Sequence, residues 1–196
     1  LGRIKISIKI MDFPTEYTCL TKNKLLFEDY KIVPIRFEDR LDIMRWRNEQ
    51  MYHLRQVKPL TEIAQENYFR RTVSNLFDLE KPNQILFSYL KNDKCIGYGG
   101  LVHINWIDKN AEISFIMNSD LEEEYFHYHW SIFLGMIESL AFEELGFHKL
   151  YVYAFDLRPN LYEVLLSSGY FRDATLKQHC YFNDKFLDVV IHSKLN

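Results

Sequence analysis

The 196-residue chain is long enough for one domain with a substantial core and short for two, and its 47% apolar and 26% charged residues exclude a disordered or fibrous chain. A net charge of −3, without a long basic run, excludes a partner held mainly by phosphate neutralisation, such as bulk nucleic acid. No apolar block is long enough to cross a membrane, and the three scattered cysteines, Cys19, Cys95 and Cys180, indicate buried thiols of a reducing, cytoplasmic setting, without disulfides.

In residues 1–10, Ile4, Ile6, Ile8 and Ile10 alternate with Lys5, Ser7 and Lys9, the pattern of a strand and not of a signal peptide's apolar block. A polar connection over 14–24 follows, so residues 1–29 read as a strand and arm added to a domain spanning 30–196. Residues 30–35 read as a short strand. Two helices follow it, 39–48 and 61–76, with Thr61 placed as the N-cap of the second. Strands over 85–90 and 95–102 flank the polar stretch Lys91-Asn92-Asp93-Lys94, read as a four-residue hairpin turn. Over 110–117, Ala111, Ile113, Phe115 and Met117 alternate with Asn110, Glu112 and Ser114, as in a half-exposed strand. The strongest helical stripe, Ile132, Phe133, Met136, Ile137, Leu140 and Ala141, runs over 129–145, with Gly146 as its stop. A near-continuous apolar strand over 149–155, a short helix over 160–168 closed by Gly169, and a hairpin of 177–182 with 186–193 across Asn183-Asp184 complete the chain. The order is β, α, α, β, β, β, α, β, α, β, β.

Several strings sharpen this order. Residues 141–150, AFEELGFHKL, residues 111–115, AEISF, and residues 96–100, IGYGG, resemble the central helix running into the fifth strand, the fourth strand and the third strand of the GNAT (Gcn5-related N-acetyltransferase) superfamily. The tail, HCYFNDKFLDVV over 179–190, looks like the closing hairpin of the ribosomal-protein-alanine acetyltransferase branch. Trp46-Arg47-Asn48, with Tyr68 and Phe69, resembles the acceptor side of aminosugar-nucleotide N-acetyltransferases of the pseudaminic-acid type. The resemblance implies an α+β fold, a mixed, mostly antiparallel sheet with helices on both faces and a splayed central strand pair. It also implies acetyl-CoA as donor, its pantetheine between the splayed strands and its pyrophosphate on the amides of the central helix, where unpaired N–H groups and the helix dipole favour an anion.

The family motif at that helix, Gln/Arg-x-x-Gly-x-Gly/Ala, falls on Tyr125-Phe126-His127-Tyr128-His129-Trp130, where rings replace both small residues. Asp120, Glu122, Glu123 and Glu124 add negative charge just before it. Three readings stand: a slipped register, amides that still bind phosphate with help from His127 or His129, and a lost donor site. The resemblance assigns donor contacts to Ile116, Met117, His127, Tyr128, His129, Trp130 and Arg158, and acceptor contacts to Trp46, Arg47 and Asn48; His53 and Arg55 lie in a loop over the acceptor side.

Acyl transfer to an amine needs a base and an oriented thioester, without a covalent nucleophile. Glu112 is the first candidate base, because alternation turns it away from Ala111 and Ile113, and His103 near the end of the third strand is the second. The family's general-acid Tyr would fall on Leu165; Tyr162, one helical turn earlier, carries the nearest hydroxyl. Each of these side chains also has an ordinary structural role open to it. His127 and His129 diverge on a helix, and no metal site is expected. Two functions stand: an N-acetyltransferase acting on the primary amine of a small polar metabolite, an aminosugar nucleotide among them, and a non-catalytic GNAT-fold binding or scaffold protein with a degenerate CoA site. A free edge on the added strand leads to an expected homodimer, with neither nucleic acid nor membrane as partner.

Overall fold

The computed structural model describes residues 13–196, so the strand expected over 1–10 lies outside the described residues. In chain order come β1 (Leu25–Phe27), β2 (Tyr30–Pro34), α1 (Arg40–Glu49), α2 (Glu62–Tyr68), a π-helical turn (Phe69–Val73) leading into α3 (Ser74–Leu76), β3 (Ile85–Lys91), β4 (Lys94–Asn105), β5 (Asn110–Met117), α4 (Ser119–Glu138) with a π-helical extension (Ser139–Glu144), β6 (Lys149–Phe155), α5 (Pro159–Ser167), β7 (Phe171–Phe182) and β8 (Lys185–Leu195). The strands make one sheet in the order β1-β2-β3-β4-β5-β6-β8-β7, antiparallel throughout except for the parallel pair β5 and β6. This is the expected α+β arrangement. None of the described helices is long and apolar enough to cross a membrane.

Local chemistry accounts for most boundaries. Thr61 Oγ1 accepts from the Ala64 amide, the N-cap expected of it. Asn92 and Asp93 sit at φ 48° and 64° with Lys91 facing Lys94, so the hairpin turns on two residues and not four, the tight geometry that matches strand twist. Asn183 and Asp184 repeat it at φ 50° and 59°. Gly146 at φ 64° ends the central helix as its position implied.

Two elements depart from the sequence reading. β1 was not expected, because three residues are too few to display alternation; it pairs with β2 across Glu28. The central helix starts at Ser119, ten residues before the expected start. Its first turn carries Asp120 and Glu122, which suit the positive end of the helix dipole but give no apolar stripe, and Asn118 caps it by accepting from the Asp120 amide at 3.2 Å.

One face of β5 packs on α4. Phe115 and Phe133 stack with centroids 4.0 Å apart, and Trp130 meets Phe115 edge-on at 5.2 Å. Rings thus hold β5 against the helix, while the opposite face of the strand stays available.

Candidate active site

β5 and β6 pair only at their starts, Asn110 with Lys149, Ala111 with Leu150 and Glu112 with Tyr151. Beyond these the two strands part, since β5 follows β4 and β6 follows β8, each in an unbroken antiparallel ladder there. Their facing edges make no ladder with each other, which directs backbone donors and acceptors into the gap. A cavity of about 310 Å³ fills it, lined by Ile113 to Ile116 of one strand and Val152 to Phe155 of the other. A second cavity of about 320 Å³ lies beside it between α1, α2 and the sheet, and Arg47, Gln84, Val102 and Ser114 border both.

Glu112 is the carboxylate of the first cavity. Its side chain is only 17% exposed, and burial pushes its carboxyl up to about 7 against a smaller opposing pull from Arg55. His103 is brought to it. A β-bulge between Val102 and Asn105 turns His103 to φ 49°, and its Nε2 stands 3.8 Å from Glu112 Oε2 with the ring largely in solvent. The two candidate bases are therefore neighbours.

The segment aligned with the phosphate motif does not form a cradle. Residues 125–130 lie inside α4, where their amides are spent on the helix ladder. His129 is buried, with Nδ1 3.1 Å from the Tyr89 hydroxyl; Trp130 is buried against Phe115; Tyr128 packs edge-on against Tyr30; and His127 meets the Ser167 hydroxyl at 3.2 Å. Of the six, Trp130 alone lines the cavity. The donor contacts expected of His127, Tyr128 and His129 are corrected on this ground. Ile116 lines the cavity, and the Met117 carbonyl accepts from Gln50 Nε2 at 2.8 Å. The true start of α4 carries Asp120, Glu122, Glu123 and Glu124, a poor seat for a diphosphate. The donor chemistry the resemblance implies therefore fits the gap between the strands, and does not fit the helix start.

Arg158 stands at the mouth of the cavity. Its guanidinium bonds Glu122 at 2.5 Å and His53 Nδ1 at 3.3 Å, while His53 Nε2 lies 3.2 Å from Gln50 Oε1. Burial and the neighbouring Arg158 push His53 down to about 3, so it is neutral. Since a guanidinium only donates, His53 Nδ1 accepts and its Nε2–H donates to Gln50.

The acceptor-side residues separate by role. Trp46 is fully buried core, and Asn48 braces the 51–60 loop by accepting from Gln56 Nε2 at 2.8 Å and the Leu60 amide at 2.7 Å. Arg47 and Arg55 reach the first cavity, Arg55 lying 4.1 Å over the Tyr153 ring. Tyr162 does not reach it. Its ring stacks on His192, opposite Val152 and so on the sheet face away from Glu112, and its hydroxyl donates to Asp156 at 2.9 Å. Tyr153 is absent from the sequence-derived candidates because β6 reads as a near-continuous apolar strand. It is the phenol that lines the cavity, and the alternation of Lys149, Tyr151 and Tyr153 was the available signal. Among the described residues no three His, Cys, Asp or Glu side chains group as metal ligands.

Residues 32–191 match the family model described as an acetyltransferase (GNAT) domain. No curated protein matches by sequence. Among solved structures, the fold is similar to spermidine N-acetyltransferase from Vibrio cholerae in complex with CoA and spermine, at TM-score 0.72 and 17% identity, covering 86% of this chain and 96% of that one. A dodecameric structure of the same Vibrio cholerae enzyme in an intermediate state gives TM-score 0.70 and 16% identity, covering 86% and 95%. At such identities the likeness is one of fold.

Proposed function

This chain belongs to the GNAT acetyltransferase domain family, and we propose that it moves an acetyl group from acetyl-CoA directly to the primary amine of a small polar metabolite. One observation carries the reading: Glu112, raised to about 7, sits where two unpaired strand edges open a cavity. In this reading Glu112 takes the proton from the amine, the nitrogen bonds the acetyl carbonyl carbon as the carbon–sulfur bond breaks, and the departing thiolate takes a proton from Tyr153, the phenol lining the cavity, which the protonated Glu112 then restores. His103 stands beside the Glu112 carboxylate, its Nε2 3.8 Å away, and the open strand edges receive the extended pantetheine as an added strand. The domain over 30–196 carries the activity, with Tyr17 and Leu20 of the preceding segment buried in its core. Spermine in the structurally similar enzyme supports a small amine acceptor; an aminosugar nucleotide is a second candidate. Three free thiols support a reducing compartment such as the cytoplasm.

Calorimetric titration with acetyl-CoA, followed by thiol release with an amine panel, tests this. Saturable binding and amine-dependent thiol release are expected; neither at millimolar donor ends the reading. The non-catalytic alternative draws on the rebuilt helix start and is opposed by the open gap between β5 and β6. Self-association through a sheet edge belongs to the same reading, and a monomer by light scattering would remove it.

The Glu122–Arg158 pair yields a prediction of its own. Glu122 occupies the cation at the cavity mouth, so Glu122→Gln is expected to tighten acetyl-CoA about threefold to tenfold, measured by calorimetry at low salt. Unchanged or weaker binding would show that donor phosphates do not compete with Glu122.

A further inference from the structure

The two cavities meet at a cation without a counter-charge. Arg47 projects from the last turn of α1, and its guanidinium donates to the Tyr98 hydroxyl at 2.7 Å and to Gln56 Oε1 at 3.2 Å, neither of them a carboxylate. The other partly buried arginines differ, and the described arginines that lack a carboxylate, Arg55, Arg71 and Arg172, are exposed. Arg36 holds Asp39 at 2.7 Å, Arg158 holds Glu122 at 2.5 Å, and even the exposed Arg70 holds Glu66 at 2.8 Å. No carboxylate lies in ion-pair range of Arg47 among the described residues, and the groups that act on it most are the phenols of Tyr98 and Tyr68.

The surroundings share this sign. Arg47, Arg55 and Arg158 line the first cavity against one carboxylate, Glu112, in a chain whose net charge is −3. The second cavity is lined by amides, phenols and apolar groups, with Arg47 its one charged residue. Withdrawing a guanidinium from water without a counter-charge is unfavourable, and such a group is a marker of a ligand site. Its planar donor fork matches the oxygens of a phosphate or carboxylate. A polyamine would instead bring a second ammonium toward Arg47 in a poorly solvated space, where like charges repel strongly.

We propose that the acceptor is an amine whose molecule also carries a compact oxyanion, a phosphate or a carboxylate, and that Arg47 receives this oxyanion in the second cavity while the amine lies at Glu112 in the first. The amine half rests on the acetyl-transfer reading; the oxyanion half stands on Arg47 alone. Asn48 and Gln56 are positioning residues, since they fix the loop that closes over the guanidinium.

Thermal-shift titrations of the full chain with uridine diphosphate, glutamate and spermidine test this on the native sequence, Arg47→Gln and, as a control outside both cavities, Arg45→Gln. One of the two anions is expected to bind the native protein, about tenfold or more weaker to Arg47→Gln, and with little change to Arg45→Gln; which anion binds tells phosphate from carboxylate. Spermidine is expected not to bind. The proposal is overturned by spermidine binding tighter than both anions, by equal anion affinity in native and Arg47→Gln protein, or by binding of neither anion at millimolar concentration. Arg47→Lys, which keeps the charge and loses the fork, is expected to restore part of the affinity and guards against loss through misfolding. Acetyl-CoA titrated in parallel separates the two readings: anion binding at Arg47 without donor binding would sink acetyl transfer and leave the oxyanion site in place.

Discussion

Glu112→Gln is expected to lower kcat for acetyl transfer by about a hundredfold to ten-thousandfold while donor affinity stays near the native value. The substitution keeps the size and hydrogen-bonding capacity of the side chain, so the cavity and its strand edges persist while the base is lost. A pH profile separates this role from a structural one. The carboxylate must be ionised to take the proton, so native kcat/KM is expected to fall as pH drops below about 7 and to level off above it; the variant should lose that limb. Removing Arg55, which pulls the Glu112 carboxyl down, is expected to move the limb to higher pH.

Stability runs in the opposite sense. Because burial raises Glu112 above its unfolded value of 4.5, the folded state holds the proton more tightly, and the associated stability is fully present below 4.5 and lost as pH rises through 7. Glu112→Gln escapes that loss, so its advantage over native protein is expected to be about 3 kcal/mol at pH 8 and to vanish near pH 4.5, read by denaturant unfolding. A variant that loses activity and also loses stability at pH 8 would contradict a buried, ionising base.

Gly99→Ala is expected to destabilise the chain by about 3 kcal/mol or more, lowering Tm by roughly 6–12 °C. A methyl group at Gly99 would lie 2.1 Å from the Ser114 carbonyl oxygen, 2.8 Å from Phe115 Cα and 2.9 Å from Phe133 Cζ. The first two are backbone of β5 and yield only if the strand moves; the third belongs to the ring stack that fixes β5 on α4. Any relief of the clash therefore displaces the strand that carries Glu112, and the surviving folded fraction is expected to be less active as well as less stable. Gly135→Ala is the control. It faces open space in the interior of α4, so it should gain about 0.5–1 kcal/mol through helix propensity. Equal losses at both glycines would mean that close approach of β4 to β5 is not what Gly99 provides.

Much of the fold was legible because its signals are local. The alternation over 110–117 fixed both the strand and the side on which Glu112 stands, and the Asn-Asp pairs and Gly146 fixed two turns and a helix end. The helix start was not legible. Its acidic first two turns lie at the rim of the cavity mouth and leave no apolar period before Phe126, so residues 119–128 fell outside the expected helix when they are its opening turns.

The site divides along the same line. The sequence by itself determined the order of elements, the face of β5 that bears a carboxylate, and a Trp-Arg-Asn triplet ending the first helix, since these follow from spacing and turn chemistry within a few residues. Only the tertiary structure decided that β5 and β6 part after three pairs, that a bulge brings His103 to Glu112, that Tyr162 faces away, and that Arg47 meets Tyr98 with no carboxylate in reach. Desolvation and charge pairing depend on atoms brought together from distant parts of the chain, 51 positions apart for Arg47 and Tyr98, and no local period in the sequence encodes them.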